Sequence, residues 1–235
     1  MSCYVVKASV TLALSLIAAI GVAAAEKPTK AAGAKDQPAY LDKEHAPKGA
    51  GWISLFNGND LTGWKSFPGD RPSSWKVEDG LLASTSKPGA PGTNICTEKK
   101  FEDFELYYEY CVPKGGNSGV FLRGRYEIQV IDDYGVPANR PRDWGNGGVY
   151  GQKAPSRNVS KPGGEWQSAY VRMVGKEITV FINGEKVIDK FTPHGVTHVY
   201  PELKTKEGEP AGPILLQGDH RSIKYRYVMI KPLEK

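Results

Sequence analysis

The sequence lacks the short patterns by which many enzyme classes are recognised. No HExxH, CxxC, GxSxG, P-loop or GxGxxG pattern occurs in its 235 residues, and such patterns mark zinc peptidases, redox proteins, α/β-hydrolases and nucleotide-binding proteins. Histidine is scarce, with four residues, and the three cysteines lack the spacing of zinc ligands. The sequence therefore predicts no cofactor, and no ligand spacing demands a metal ion.

An excess of charge of one sign is also missing. The 31 Lys and Arg residues against 26 Asp and Glu give a formal net charge of +5, and no basic run is interleaved with aromatic residues. Nucleic acid is therefore not an expected partner. Hydrophobic residues make up 40% and charged residues 24% of the chain, which excludes a disordered or collagen-like protein. The 27 glycines and 17 prolines favour a turn-rich β protein over a helix bundle.

The first 25 residues have the pattern of a secretory signal peptide. Lys7 precedes the apolar stretch Val10–Val22, and small residues follow at Ala23–Ala25. The apolar stretch is too short, and too interrupted by Ser and Thr, to span a membrane. We therefore expect cleavage after Ala25 rather than a retained anchor. The mature protein is expected in the periplasm or outside the cell, without membrane association.

One β domain is predicted for residues 51–235, preceded at 26–50 by a flexible leader rich in Ala, Lys and Pro. Asp79-Gly80 and Asn183-Gly184 are strong signals of two-residue hairpin turns. The predicted strands are Trp52–Phe56, Trp75–Glu78, Leu81–Ser84, Asn94–Thr97, Phe104–Val112, Gly119–Arg123, Tyr126–Ile131, Trp166–Val174, Ile178–Ile182, Glu185–Ile188, Ile214–Gln217 and Ile223–Ile230. Many short strands without a helical period indicate an all-β sandwich of two antiparallel sheets.

Cys96 and Cys111 remain after removal of the signal peptide, in a compartment that allows disulfides. Their strands are predicted to be neighbours in a hairpin that turns near Phe101. In that hairpin Cys96 would lie opposite about residue 106, and at about 3.3 Å per residue Cys111 is too far along the ladder for a disulfide. We therefore expect two free thiols.

The most informative candidate residues lie on the predicted strand Tyr126–Ile131. Its even positions are apolar and predict the core face, so Glu127 and Gln129 share the opposite face. A tight turn at Gly124 would place Arg123 beside Glu127. A solvated outer face with a weak surface ion pair fits the same periodicity equally well.

A second candidate is His220, which follows a buried-looking strand. Gln217 could share its face, whereas Asp219 is adjacent in sequence and is not expected to orient the ring. The histidines of the long loop Phe191–Pro213 lack comparable neighbours. A histidine in a sandwich loop is more often incidental than catalytic, and only these neighbours make His220 a candidate for catalysis.

A third group of candidates lies in the longest irregular stretch, residues 132–161. Trp144 and Tyr150 occur there among several glycines. Long loops inside a compact domain are commonly functional. Both aromatic side chains are therefore predicted to lie at a pocket and to stack on sugar rings.

Five segments resemble, in order, the motifs of the 3-keto-disaccharide hydrolase family. They are Gly51–Trp64 (GWISLFNGNDLTGW), Asn117–Arg123 (NSGVFLR) with Tyr126–Gln129 (YEIQ), Gly147–Gly151 (GGVYG), Gly164–Trp166 (GEW) and Gly212–Gln217 (GPILLQ) leading to Arg226. Each motif alone is weak, but together they extend from residue 51 to residue 233. The resemblance implies a concanavalin-A-like jelly roll, which agrees with the sandwich predicted from the strands.

The resemblance also implies a secreted enzyme that cleaves the glycosidic bond of 3-keto-glycosides, such as 3-keto-disaccharides, by elimination and hydration. Glu127 and His220 are then the expected catalytic acid and base, in an order that the sequence leaves open. The expected substrate-binding residues are Arg123, Gln129, Trp144, Tyr150, Asn117 and Gln217.

The sequence departs from the family pattern at three positions. Gln167 and Tyr227 occupy places where Asn is usual, and Arg221 follows His220 where the pattern has glycine. The bulk of Arg221 bears on access beside His220 and hence on the range of substrates.

Two other classes of protein stay open on the same fold. A non-catalytic carbohydrate-binding module would present a similar polar face with an aromatic rim, because fold does not fix function. A conventional glucanase needs two carboxylates about 5 to 10 Å apart. Gln129 occupies the place of a second acid on the strand of Glu127, but Glu109 on another strand could supply one.

Overall fold

The computed structural model describes residues 47–87, 89, 92–198 and 200–234. The predicted signal peptide and nearly all of the predicted leader lie outside these residues, so both stay predictions. Within the described ranges, no helix combines the length and the apolar character that a membrane crossing requires.

The described residues form thirteen β-strands and one short 3₁₀-helix, Pro201–Leu203. The strands are β1 Ile53–Ser54, β2 Trp64–Phe67, β3 Trp75–Glu78, β4 Leu81–Ser84, β5 Asn94–Thr97, β6 Phe104–Cys111, β7 Asn117–Leu122, β8 Tyr126–Ile131, β9 Trp166–Val174, β10 Glu177–Ile182, β11 Glu185–Phe191, β12 Leu215–Leu216 and β13 Ile223–Pro232. An eight-stranded sheet has the order β11-β10-β9-β6-β13-β4-β3, with β1 also paired to β13. A five-stranded sheet has the order β2-β5-β12-β7-β8. The predicted all-β jelly roll of two antiparallel sheets is confirmed.

Both predicted two-residue turns are present. Asp79 and Gly80 have φ values of 52° and 72° between β3 and β4, and Asn183 and Gly184 have φ values of 51° and 78° between β10 and β11. A type I′ turn needs positive φ at both central positions, which Asn, Asp and Gly tolerate best. Each pair therefore sets the register of its hairpin locally.

The main hydrophobic core lies between the two sheets. On β8, Tyr126, Ile128 and Val130 belong to this core, and they are at most 2% exposed. On β13, Tyr225 and Ile230 reach it from the other sheet. Because successive strand residues point to opposite faces, the odd positions of β8 face away from the core.

A second, smaller apolar cluster lies on the outer face of the five-stranded sheet. Its buried members are Phe67, Cys96, Phe121 and Leu215, and Tyr200 and Leu203 pack against them. The long segment 191–213 therefore covers the apolar part of this face. The rest of the face contains polar side chains, and the candidate site lies there.

The prediction of free thiols is confirmed for Cys96 and Cys111, although its geometrical reason is wrong. β5 pairs with β2 and β12, whereas β6 pairs with β9 and β13. The two strands thus belong to different sheets and do not form a hairpin. Cys96 lies in the small outer cluster, and burial raises the pKa of its thiol to about 11.

Candidate active site

Glu127 lies on the outer face of β8, as the alternation predicts, but it is not a solvated surface acid. Its side chain is 5% exposed. Burial raises the pKa of Glu127 to about 8, nearby Asp219 adds to the rise, and the positive charge of His220 opposes it. Since the charged form of a carboxyl is disfavoured by burial, Glu127 retains its proton over most of the neutral pH range.

The glycine and the amide beside Glu127 fix the position of its carboxyl. Gly119 lies on the adjacent strand, and a Cβ atom there would overlap Glu127 Oε1. Gln129 is oriented by its partners, so that its amide nitrogen donates to Ser118 O at 3.0 Å and to Glu127 Oε1 at 3.1 Å. The carboxyl of Glu127 therefore packs against the backbone of β7 at Gly119, and the amide of Gln129 donates a hydrogen bond to it.

His220 reaches the same face from the turn that follows β12. Gly218 N donates to Asn94 Oδ1 at 2.8 Å, and Asn94 Nδ2 donates to Asp219 Oδ2 at 3.2 Å. A Cβ atom at Gly218 would overlap the indole of Trp75, itself held by a 2.8 Å hydrogen bond to Thr93 O. The turn is therefore hydrogen-bonded to β5 through Asn94 and packed against the core residue Trp75.

Asp219 orients the ring of His220, contrary to the expectation from their adjacency. His220 Nδ1 lies 2.6 Å from Asp219 Oδ1. This hydrogen bond and the charge of Asp219 raise the pKa of His220 against the opposing effect of burial. Burial alone would raise the pKa of Asp219, but hydrogen bonds with His220 and Asn94 outweigh it, and the pKa is lowered. Adjacent residues in a turn, unlike those in a strand, can bring their side chains together.

The glycine-rich loop places Tyr150 at the site. Gly147 N donates to Gln129 O at 2.8 Å, Gln129 N donates to Gly148 O at 2.9 Å, and Tyr150 N donates to Glu127 O at 3.1 Å. The loop therefore continues the sheet beyond β8. Tyr150 is 43% exposed, so its ring is available to a ligand.

The segment 191–213 contributes side chains that the sequence did not reveal. Thr197 Oγ1 accepts a hydrogen bond from Glu127 N at 2.8 Å and donates to Arg125 O at 3.0 Å. His198 and Tyr200 follow, with ring centroids 4.4 Å apart. Burial raises the pKa of the Tyr200 hydroxyl well above its usual range. A loop without hydrophobic periodicity gives no signal of where its side chains point.

Buried Arg125 holds this segment in place. Its Nη1 and Nη2 atoms donate to the carbonyl oxygens of Lys206 and Glu209 at 2.5 and 2.6 Å. Arg125 is 1% exposed, and hydrogen bonds from a charged group are stronger than neutral ones. The turn of the β7–β8 hairpin therefore anchors the loop that closes one side of the site.

These side chains surround a cavity of about 210 Å³, here called the small cavity. It is lined by Asn117, Glu127, Gln129, Tyr150, Thr197, His198, Tyr200, Gln217, Asp219 and His220. A second, large cavity of about 750 Å³ shares Asn117, Tyr200, Asp219 and His220 with it. The sequence-predicted residues Glu127, His220, Gln129, Tyr150, Asn117 and Gln217 are thus brought together.

Arg123 does not lie beside Glu127, so that prediction is wrong. Its φ of 54° belongs to the turn, and the strand alternation is broken there. Arg123 is 4% exposed, its Nη2 lies 3.0 Å from Asp103 Oδ1, and its Nε donates to Glu102 O at 2.7 Å. It is not among the residues that line the small or the large cavity.

Trp144 also lies outside both cavities. The guanidinium of Arg142 lies 3.6 Å from the centroid of its ring, and Arg142 pairs with buried Asp133. The tryptophan is therefore occupied in the loop by a stacked arginine, and the expectation that it lines the pocket is not met.

Glu109 cannot serve as the second carboxylate of a glucanase site with Glu127. It lies on β6 of the eight-stranded sheet, and its Oε2 accepts a hydrogen bond from Arg226 Nε at 2.6 Å. It is not among the residues that line the small cavity. Glu127 lies on the other sheet of the sandwich, which leaves Asp219 as the carboxylate that shares its cavity.

The small cavity combines groups that can transfer protons with groups that can bind hydroxyls. Glu127 retains its proton near neutral pH, and His220 is oriented by a carboxylate on Nδ1. Matched acid and base groups of this kind are characteristic of proton-transfer sites. Among the described residues, no group of three or more His, Cys, Asp or Glu side chains is placed to hold a metal ion.

The jelly-roll sandwich, with carboxyl, imidazole and aromatic side chains around a cavity on one sheet, is of the carbohydrate-active β-sandwich class, as its likeness to glycosyl hydrolases of solved structure supports. The chain belongs to the 3-keto-alpha-glucoside-1,2-lyase-like domain family, whose sequence model matches residues 51–231. The family suggested by the sequence motifs is thereby confirmed.

Individual relatives agree with this assignment. The chain is 27% identical over 181 residues to a 3-keto-disaccharide hydrolase of Bacteroides thetaiotaomicron, covering 64% of this chain and 62% of the relative. The chain thus spans less than two thirds of the length of that relative.

Two solved structures from Parabacteroides distasonis, both classed as glycosyl hydrolases, share the fold. One matches with a TM-score of 0.63 and 25% identity, covering 78% of this chain and 95% of the other. The second matches with a TM-score of 0.61 and 31% identity, covering 78% and 84%.

Proposed function

We propose that the protein cleaves the glycosidic bond of 3-keto-glycosides by elimination followed by hydration. The observation that supports this most is Glu127, a buried carboxyl with a pKa raised to about 8 in the cavity that it shares with the Asp219–His220 pair. The family description names a 1,2-lyase of a 3-keto-glucoside, and the curated relative is a 3-keto-disaccharide hydrolase.

The chemistry requires one base and one acid. A carbonyl at C3 acidifies the hydrogen on C2, and the base removes it as a proton, leaving its electron pair as the enolate. The enolate re-forms the C3 carbonyl, the electron pair moves to make a C1–C2 double bond, and the C1–O bond breaks. The leaving oxygen takes a proton from the acid. Water then adds its oxygen to C1 and a proton returns to C2, so the net reaction is hydrolysis.

The protonation states support one order of the two proposed roles. Glu127 is protonated below about pH 8 and is the acid for the leaving oxygen. His220, with Asp219 on Nδ1, is the base for the C2 proton through its other ring nitrogen. A base of this kind works when it is neutral, above a pKa that Asp219 raises.

The two cavities divide the substrate. The small cavity receives the keto-sugar ring, whose oxygens meet Gln129, Asn117 and Gln217 while Tyr150 contacts its face. The large cavity receives the leaving group. Arg221 lines the large cavity and not the small one, so its bulk acts on the leaving group rather than on access of the keto sugar to His220.

A paired assay tests this function. The purified protein is incubated with a 3-keto-disaccharide and, separately, with the parent disaccharide, and the released sugars are quantified. The proposal requires cleavage of the keto form alone. Cleavage of both compounds would indicate a conventional glycosidase, and binding without cleavage would indicate a carbohydrate-binding module.

We also propose that this reaction takes place in the periplasm or outside the cell. The support is the signal-like sequence of residues 1–25. N-terminal sequencing of the protein recovered from its native compartment is expected to begin at Glu26. Recovery of protein that begins at Met1 would contradict the proposed export.

A further inference from the structure

A separate cavity lies against the other sheet of the sandwich. It has a volume of about 380 Å³ and is called the outer cavity here. Its lining residues come from β1 and the loop after it, from the β3–β4 turn and from β13, and they include Asp79, Arg226 and Tyr227. None of these residues lines the small or the large cavity.

Tyr227 presents an exposed aromatic ring to this cavity, and its backbone adopts a strained conformation. Its φ is 51°, a left-handed conformation that bulky residues rarely adopt. The β6–β13 register shifts between Arg226 and Met229, so Tyr227 sits in a β-bulge, a device that redirects a side chain. The ring is 51% exposed, and little packing against the protein offsets the strain.

The strain at position 227 points to a function because tyrosine is poorly suited to the left-handed conformation found there. Asn adopts the left-handed conformation more readily than other non-glycine residues, whereas a bulky tyrosine does so at greater cost. A tyrosine here sacrifices backbone stability and presents a flat ring to solvent. Strained residues of this kind concentrate at binding sites.

A fixed guanidinium lies beside the ring. The Arg226 guanidinium carbon lies 4.2 Å from the centroid of Trp166 and 5.4 Å from that of Tyr227. Arg226 Nε donates to Glu109 Oε2 at 2.6 Å, and Glu109 Oε1 accepts from Tyr107 Oη at 2.8 Å. Glu109 is 6% exposed, so a buried carboxylate both orients the arginine and neutralises its charge.

We propose that the outer cavity binds a neutral carbohydrate chain at a site separate from the cavity that contains Glu127 and His220. The apolar face of one pyranose ring stacks on Tyr227, whose π face attracts the slightly positive C–H groups. Its hydroxyls accept hydrogen bonds from the Nη atoms of Arg226 and donate to the carboxylate of Asp79. An anionic sugar is disfavoured, since Glu109 already balances Arg226 and Asp79 adds negative charge.

Affinity electrophoresis tests the site on the full chain. Native gels contain soluble β-glucan, xyloglucan or arabinoxylan, with polygalacturonate as the anionic comparison, and mobility is normalised to a gel without polysaccharide. We expect at least one neutral polysaccharide to retard the wild type. Tyr227→Ala and Tyr227→Asn should weaken that retardation about tenfold, on the scale of a lost aromatic contact. Tyr134→Ala, at a 63% exposed tyrosine outside the cavity, should bind as the wild type does.

A melting curve and a turnover assay separate binding from folding. Tyr227→Asn should melt at or above the wild-type temperature, since it relieves the strain, and should cleave a small soluble keto-glycoside as fast as the wild type. No retardation of the wild type by any of the neutral polysaccharides, unchanged retardation of both Tyr227 variants, or a lower melting temperature for Tyr227→Asn would overturn the proposal. The gel result is independent of cleavage, so failure of the proposed enzymatic function would leave this test intact.

Discussion

At the scale of single residues, the proposed mechanism depends on the proton of Glu127. With a pKa of about 8, Glu127 is an acid at neutral pH and loses that ability as the pH rises. The kcat/KM profile should therefore fall above about pH 8. Glu127→Gln keeps the size and removes the proton donor, so it should lower kcat/KM by about 10²-fold or more and abolish the alkaline limb in the remaining activity. Full activity in a folded variant would remove Glu127 from the mechanism.

In the proposed mechanism Asp219 is a positioning residue, because it acts through His220. Asp219→Asn should let the pKa of His220 fall back toward its ordinary value, since the hydrogen bond with Asp219 is the main cause of the rise. The acidic limb of the kcat/KM profile should then move to lower pH, and kcat should drop about tenfold or more. Asp189→Asn, at an exposed acid on β11, is the control. An acidic limb that stays in place would show that Asp219 does not set the protonation of His220.

Burial of Glu127 also makes stability depend on pH. In the unfolded chain this carboxyl ionises near its ordinary pKa of 4.5, whereas the folded protein retains the proton to about pH 8. The wild type therefore loses stability as pH rises from about 4.5 to 8, by roughly 5 kcal/mol for a shift of this size. Glu127→Gln should lack this loss.

Urea denaturation at several pH values measures the effect. The free energy of unfolding of Glu127→Gln, relative to the wild type, should increase between pH 5 and pH 9. Glu78→Gln changes an exposed carboxyl on β3 and should show no such gain. A pH-independent difference between Glu127→Gln and the wild type would mean that Glu127 is solvated in the folded state.

At the scale of elements, the close approach of β7 and β8 sets the depth at which the carboxyl lies. A methyl group at position 119 would overlap Glu127 Oε1. Gly119→Ala should therefore displace the carboxyl, lower kcat/KM about tenfold or more, and destabilise the fold by about 1 to 3 kcal/mol through overpacking. Gly195→Ala, where a Cβ atom meets nothing within 4 Å, is the matched control. Activity equal to that of the control would show that the two strands do not confine Glu127.

Local patterns accounted for the elements whose causes are local. The two-residue turns set the β3–β4 and β10–β11 hairpins, and the alternation of β8 places Glu127 and Gln129 on one face. Both are local because turn chemistry and strand period act over a few residues. Pairing between distant segments was missed: β5 and β6 join different sheets. The β2 strand, Trp64–Phe67, was not predicted at all.

The parts of the site that the sequence does not predict lie in turns and loops, where side chains follow neither the strand nor the helix period. Arg123 leaves the strand alternation through its positive φ. His198 and Tyr200 lie in a loop whose course depends on the clamp made by Arg125. Asp219 reaches His220 only because a turn, fixed by Asn94, brings the two side chains together. In each case a tertiary contact, not a sequence pattern, places the side chain.

At the scale of the whole molecule, the sandwich separates two chemically different surfaces. The five-stranded sheet supports the cavity in which Glu127 and the Asp219–His220 pair meet. The eight-stranded sheet supports the outer cavity around Tyr227. Glu127, His220 and Tyr227 are not part of the core between the sheets. Substitutions at one of the two cavities should therefore leave the structure of the other unchanged.

Elimination and direct hydrolysis of the glycosidic bond differ at C2 of the keto sugar, and isotope incorporation there distinguishes the two. The protein cleaves a 3-keto-disaccharide in D₂O, and the keto sugar released at early times is examined by mass spectrometry and NMR. Product incubated without protein corrects for spontaneous exchange. With elimination we expect one deuterium at C2 for each bond cleaved, since that carbon loses its proton and regains one from solvent. A product that keeps only protium at C2 while the bond is cleaved would contradict elimination and indicate direct hydrolysis.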